Sequence, residues 1–191
     1  MIQALTAGFA DPVLDAQRSF RAVLDAMARP GSVHVVAGTE APAPLTPALG
    51  AVLLTLVDHE TPLWLDPALD AARDWIAFHT GAPFTPHADR ARFAVAGPGA
   101  PMRALHPGGH ETPEESATLL LRVGSLADGA ALRLRGPGLR APVLLRVAGL
   151  PNGFVGWWGE NHRRFPLGVD VILCAGDRLA ALPRTVIIEE A

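Results

Sequence analysis

Phe165 to Thr185, reading FPLGVDVILCAGDRLAALPRT, leaves little freedom about where the core lies. Pro166-Leu167-Gly168 breaks whatever precedes it, and Val169, Val171, Ile172 and Leu173 form a short run rich in β-branched residues, which predicts a buried strand. Ala175-Gly176-Asp177-Arg178 is a turn, Leu179 to Leu182 a second apolar run, and Pro183-Arg184-Thr185 a break before a last β-branched strand, Val186 to Ile188. One acid interrupts the pattern. Asp170 stands where the first strand begins, and a carboxylate there must reach water or find a donor.

Upstream, helix signals come first. Asp11-Pro12 is a cap followed by proline, and Val13, Ala16, Phe20, Val23, Leu24 and Met27 recur at three- and four-residue spacing, which predicts an amphipathic helix ending at Arg29-Pro30-Gly31. Ser32 to Val36 reads as a strand. Thr46 caps a second helix with Leu49, Val52, Leu53 and Leu56 on one face. Leu63 to Leu65 is a brief strand, and Asp66-Pro67 opens a helix through Trp75 and Ile76 that closes at Gly81. Arg92 to Ala96, Ala117 to Val123, Leu132 to Arg135 and Val143 to Val147 are further strands, with Ala117 to Val123 central. Gly97 to Pro107 is irregular with one helical turn at Met102 to Leu105, and Asn152 to Arg164 is a short helix. The fold class expected is α/β, a single layered domain over 1–191 with a mixed β-sheet flanked by helices.

Composition excludes several functions. At 191 residues, 49% hydrophobic and 18% charged, the chain can bury a substantial core. A net charge of −3 supplies no basic field for nucleic acid. No apolar run approaches the roughly 18 residues of a membrane span, and no signal peptide is read, so a cytoplasmic location is expected. All sixteen Lys+Arg residues are arginines, which rules out a lysine Schiff base. One cysteine, Cys174, cannot build an iron–sulfur cluster or a thiolate zinc site. No Gly-x-Ser-x-Gly elbow or Walker-type loop is present.

Phe20 to Gly31 (FRAVLDAMARPG), Val52 to Asp58, Thr61 to Leu65, Phe78 to Ala82, Pro113-Glu114, Gly136 to Leu139, Asn161 and the FPLGVDVIL…ALPRT run resemble, in order, the segments of the PhnH family. That family is a subunit of the bacterial carbon–phosphorus lyase machinery of phosphonate degradation. The resemblance spans nearly the whole chain. It implies a fold similar to that of pyridoxal-phosphate-dependent transferases, held here without the cofactor. It also implies a homodimer that joins PhnG-, PhnI- and PhnJ-like subunits in forming α-D-ribose 1-alkylphosphonate 5-triphosphate and adenine from ATP and alkylphosphonate. Catalysis belongs to that complex, and a structural role is expected of this chain alone. No cofactor, nucleic acid or membrane is expected as a partner. The alternatives are an independent small-molecule enzyme and a nucleotide- or phosphonate-binding protein on the same fold.

Four residues stand as candidate ligand or interface positions: His79, Asp170, Arg184 and Thr185. His79 falls in the last turn of a predicted helix, where capping is the first reading and a ligand or proton-transfer role the second. Asp170 either pairs with Arg184 or accepts backbone bonds at the strand end, or else is a site acid. Arg184-Thr185 suits oxyanion recognition through a planar guanidinium, against a structural reading. His106, His110 and Glu111 place three potential metal ligands within six residues, but Pro107-Gly108-Gly109 prevents the helix that would align them, so a solvated loop is expected. Gly136-Pro137-Gly138 reads as a turn rather than a phosphate nest, Arg18 and Arg21 share a helix face, and Trp157-Trp158 either anchors a partner or fills core.

Overall fold

The computed structural model describes residues 6–36 and 38–191. Its organising element is a six-stranded sheet that is apolar on both faces. The first helix, α1 (Pro12–Ala28), leads to a two-residue strand, β1 (His34–Val35), and then to α2 (Pro47–Leu56). Strand β2 (Leu63–Leu65) is followed by a 3₁₀ stretch, Pro67–Ala72, that continues into α3 (Arg73–Thr80). After β3 (Phe93–Ala96) the chain is irregular until β4 (Thr118–Arg122). Two longer strands, β5 (Ser125–Arg135) and β6 (Val143–Ala148), precede α4 (Phe154–His162), and β7 (Asp170–Ala175), β8 (Arg178–Leu182) and β9 (Ile187–Glu190) close the fold.

Strand order in the large sheet is β1-β8-β7-β4-β3-β2. Strands β2, β3, β4 and β7 are parallel, while β8 and β1 add antiparallel at one edge. This is an α/β protein with a mixed sheet. Alternation along each strand divides the core in two. Val95, Leu120, Ile172, Cys174, Leu179 and Ala181 point to the side covered by α1, α2 and α3. Their neighbours Ala94, Leu119, Leu121, Val171, Leu173, Ala180 and Leu182 point to the other side, where α4 and a second sheet lie. Burial on both faces is why β4, β7 and β8 read as unbroken apolar runs.

Two expectations are corrected here. The strands do not form one sheet: β6-β5-β9 is a separate antiparallel sheet, paired through Leu132↔Glu190 and Leu134↔Ile188. The break at Pro183-Arg184-Thr185 therefore carries the chain from one sheet to the other rather than along the first. The second correction concerns α1. Its buried side consists of Asp15, Ser19, Ala22, Val23 and Ala26, whereas Val13, Phe20 and Leu24 are exposed. Small side chains let α1 lie close against its neighbours, and the large apolar ones are turned outward.

Local signals elsewhere hold. Asp11 Oδ1 accepts the Leu14 amide at 3.1 Å and Thr46 Oγ1 the Leu49 amide at 3.2 Å, each closing a first turn that opens with proline. Gly81 ends α3 at φ 68°. Gly136-Pro137-Gly138 is a turn between β5 and β6, with the Leu139 amide donating to the Gly136 carbonyl at 3.2 Å. Gly138 sits at φ 82°, and a Cβ there would stand 2.2 Å from the Ala28 carbonyl oxygen, so only glycine lets this turn press on the end of α1. Trp157 and Trp158 fill core, and Trp158 Nε1 donates to the Val186 carbonyl at 2.8 Å, pinning α4 to the start of β9. Among the described residues no helix is long and apolar enough to cross a membrane.

Candidate functional site

Two ends of the parallel strands carry polar groups, and they are built differently. At the amino end of β7, Asp170 and Arg184 meet. Arg184 Nη2 donates to Asp170 Oδ2 at 2.6 Å and Nε lies 3.2 Å from both carboxylate oxygens. The Arg184 amide donates to Oδ1 at 2.7 Å, so the carboxylate both pairs with the guanidinium and accepts a backbone bond. Nη1 reaches the Pro113 carbonyl at 3.1 Å and the Pro166 carbonyl at 3.4 Å, and Nη2 reaches Ser116 Oγ at 2.5 Å. Every N–H of the guanidinium thus has a protein acceptor. The two side chains are only 15% and 16% exposed.

That cluster fastens three segments: the start of β7, the 113–116 loop and the turn at Pro166. Thr185 follows in the turn into β9 and is partly buried. Nearby, His162 Nδ1 lies 3.0 Å from the Arg184 carbonyl and donates to it. Asn161 adds a two-point clamp, donating from Nδ2 to the Val169 carbonyl and accepting the Val169 amide at Oδ1, both at 2.8 Å. Buried asparagine bonded to one residue's N–H and C=O substitutes for a strand partner just before β7 starts. Nothing local in the sequence signalled this role.

His79 belongs to a different place. Its Nε2 lies 3.0 Å from the Thr6 carbonyl, which also accepts Trp75 Nε1 at 3.0 Å. The ring stacks at a tilt on Trp75 with centroids 4.7 Å apart and meets Phe78 edge-on at 5.0 Å. So His79 ties the segment before α1 to the end of α3, rather than bonding the carbonyls of its own helix. It shares no bonding partner with Asp170 or Arg184, and the structure does not bring the three together. His106 Nδ1 accepts the Gly108 amide at 3.1 Å, whereas His110 and Glu111 are exposed. Among the described residues no group of three His, Cys, Asp or Glu side chains is arranged to hold a metal.

At the carboxyl ends of β2, β3 and β4 lie Asp66, Gly97 and Arg122. Asp66 Oδ1 accepts the Ala68 amide at 3.0 Å and Oδ2 the Gly97 amide at 3.4 Å. Arg122, partly buried, donates from Nη1 to the Pro44 carbonyl at 3.0 Å. In sequence this arginine falls inside the expected strand run Ala117 to Val123, where it was assigned no role.

Among the described residues titration is shifted at three groups. The Arg103 guanidinium, paired with Glu160 through an Nη2–Oε1 bond of 3.0 Å, is raised, and Glu160 is held below the usual carboxylate range chiefly by that hydrogen bond. Burial alone pushes the Cys174 thiol far above its ordinary range, which makes it a poor nucleophile.

Fold and sites together define a layered α/β protein with a partly buried arginine–carboxylate clasp at one end of its sheet and a freer arginine at the other. The chain belongs to the family described as bacterial phosphonate metabolism protein (PhnH), whose model matches residues 7–189. It is 44% identical over 195 residues to the α-D-ribose 1-methylphosphonate 5-triphosphate synthase subunit PhnH of Rhizobium meliloti (strain 1021), covering 98% of this chain and 96% of that protein. It is also 36% identical over 174 residues to a putative C-P lyase subunit protein, HtxG, of Stutzerimonas stutzeri, covering 88% of this chain and 83% of the relative.

Proposed function

We propose that this chain is a subunit of a carbon–phosphorus lyase core complex in phosphonate breakdown. In that role it is needed for forming α-D-ribose 1-alkylphosphonate 5-triphosphate and adenine from ATP and alkylphosphonate. The observation that carries the reading is 44% identity over 98% of the chain to a protein named as a subunit of that synthase. The transferase activity belongs to the assembly, and this polypeptide, one PhnH-like domain over 1–191, acts structurally within it. Its setting is the cytoplasm and its partners are a second copy of itself and PhnG-, PhnI- and PhnJ-like chains.

Two features support a subunit role. Val13, Phe20 and Leu24 form an exposed apolar stripe at i, i+7 and i+11 on α1, with Val35 of the edge strand β1 also exposed, and such surface is a mark of association. The candidate residues point the same way: Asp170 and Arg184 saturate each other, and we assign them, with Thr185, to holding the 113–116 and 166 loops in shape. His79 has the matching task at the other end of the chain. An independent enzyme uniting His79, Asp170 and Arg184 has no convergent geometry to work with.

We further propose that the layered architecture is that of pyridoxal-phosphate-dependent transferases. The cofactor itself does not fit. A chain without lysine cannot hold it as a Schiff base, and Cys174, the one thiol, is buried in the sheet.

Co-expression with PhnG-, PhnI- and PhnJ-like partners tests the assignment. A stable assembly that releases adenine from ATP plus methylphosphonate, with none released by this chain alone, is the expected result. Full turnover by the isolated chain, or failure to enter any such assembly, overturns it. Leu24→Asp on the α1 stripe should leave the fold intact and weaken assembly, read by size-exclusion chromatography.

A further inference from the structure

Among the arginines, Arg73, Arg92, Arg122 and Arg184 are partly withdrawn from solvent and the rest are exposed; Arg73 is paired, its Nε donating to Asp70 Oδ1 at 2.6 Å. A guanidinium taken out of water needs acceptors for its N–H groups and a compensating charge. Arg184 has both in Asp170, Ser116 and two carbonyls. Among the described residues Arg92 has no carboxylate within 4 Å, but it lines an open surface groove together with Glu60, Asp89 and Glu115, acids that an incoming anion would meet. Arg122 resembles Arg92 in lacking a carboxylate partner, but it is held in place by a single backbone acceptor. Among the described residues no carboxylate lies within 4 Å of it. Its only protein acceptor within bonding distance among those residues is the Pro44 carbonyl, at Nη1. Nε and Nη2 are left without one.

Where those two groups face is informative. A Cβ built on Gly97 would stand 3.6 Å from Nη2 and 3.9 Å from Nε, so the side of the guanidinium that lacks a partner faces a residue with no side chain. Gly97 directly follows β3 and Arg122 ends β4. The carboxyl ends of parallel strands are where open α/β sheets take ligands, at the point where successive connections leave for opposite faces. Here that point falls between β2 and β3. The helical connection after β2 packs on the α1–α3 side through Leu69, Trp75 and Ile76, while the chain after β3 packs on the other side through Ala100, Met102 and Leu105. Asp66 and Gly97 stand at that divergence, with Arg122 on the adjacent strand. The amino end of α2 begins just beyond Pro44 and contributes a partial positive charge of the same sign.

The geometry points to Arg122 as an oxyanion-binding residue, its Nε and Nη2 offered as a two-pronged donor beside Gly97 to a tetrahedral phosphate or phosphonate group. Paired N–H donors of this kind match two oxygens of such a group. The assignment itself needs only the side-chain geometry; choosing methylphosphonate and ATP as probes rests on the complex-subunit reading. Binding neutralises a charge that the fold otherwise leaves without a counterion.

Amide and arginine side-chain NMR of the isolated full chain, titrated separately with inorganic phosphate, methylphosphonate and ATP, tests this. Shifts at Gly97, Gly99 and the Arg122 Nε–H are expected, with a dissociation constant of about 1 mM or tighter, which corresponds to about 4 kcal/mol of binding. Phosphate and methylphosphonate binding alike identifies a simple oxyanion site, and tighter ATP binding extends it to a nucleotide polyphosphate. Arg122→Gln should weaken binding at least tenfold, and Arg90→Gln, an exposed control, should not. Gly97→Ala supplies a second route should Arg122→Gln misfold, since its added methyl makes only ordinary contacts with the guanidinium yet fills the space a ligand oxygen needs. No shift with any probe at about 10 mM, shifts confined to another surface, or folded Gly97→Ala binding as wild type would overturn the assignment. Co-purification with partner subunits is a separate measurement, so failure here and failure of the subunit reading are distinguishable.

Discussion

Arg184 and Arg122 sit at opposite ends of the same sheet, both partly withdrawn from water, and their surroundings differ in one respect. Around Arg184 the chain supplies a carboxylate, a hydroxyl and two carbonyls, so all five N–H groups are satisfied from within. Around Arg122 it supplies one carbonyl. A satisfied guanidinium contributes to folding and has no donor left for a ligand; an unsatisfied one contributes little to folding and keeps its donors. Position in a sequence motif does not separate the two cases. The acceptors do.

The contrast predicts a graded series. Replacing Arg184 with Met leaves Asp170 as a largely buried charge without its partner, and should cost about 3 kcal/mol of stability. The expected melting point falls by roughly 6–12 °C for a chain of this size. A loss under about 1 kcal/mol by urea denaturation would show that the clasp is dispensable. Ser116→Ala removes one of Arg184's acceptors and should cost about 1 kcal/mol, with the slope of the urea transition unchanged. At the other end, Arg122→Gln should lower stability by less than about 1 kcal/mol, because a single neutral acceptor is lost, while weakening oxyanion binding as stated above. If Arg122→Gln destabilised as much as Arg184→Met, the two ends would be alike and the comparison would fail.

The exposed Arg103–Glu160 pair marks the bottom of the scale. Glu160 is held below the ordinary carboxylate range in the folded chain, so its contribution is present above that range and fades as pH falls through the lowered value. Because the pair is open to solvent, acid and high salt should both erase it with little change in melting temperature, and Arg103→Ala should abolish what pH dependence it has.

Much of the framework was legible because it rests on short-range chemistry. Asp11-Pro12, Thr46-Pro47 and Asp66-Pro67 announce helix starts since the capping oxygen and the bonded amide lie within three residues of each other. Gly81 ends α3 for an equally local reason, its φ of 68°. The runs that became β4, β7 and β8 were recognisable as doubly buried strands from apolar continuity alone. The Asp170–Arg184 pairing was foreseen as one of two readings, being only a hairpin apart. Its reach to Pro113 and Ser116, about seventy residues away, was not.

Periodicity identified α1 as a helix and placed Val23 and Met27 inward correctly, but Val13, Phe20 and Leu24 of the same expected face are exposed. It tells which residues share a face, whereas depth of burial depends on what that face meets, and Ser19, Ala22 and Ala26 permit an approach that Phe20 and Leu24 would block. Sheet membership escaped for the same kind of reason, since β9 could extend the β7–β8 hairpin or pair with β5, and nothing near Ile187 decides between them. The residues alone determined the capped starts at Asp11, Thr46 and Asp66, the buried strands, the family resemblance and the lack of lysine and of a second cysteine, all of which depend on composition or on neighbours along the chain. Tertiary structure alone decided that the strands divide between two sheets, that α1 turns its large apolar side chains outward, and that Arg184 is saturated while Arg122 is not. Those outcomes depend on which distant acceptors and surfaces folding brings within a few ångströms of each other.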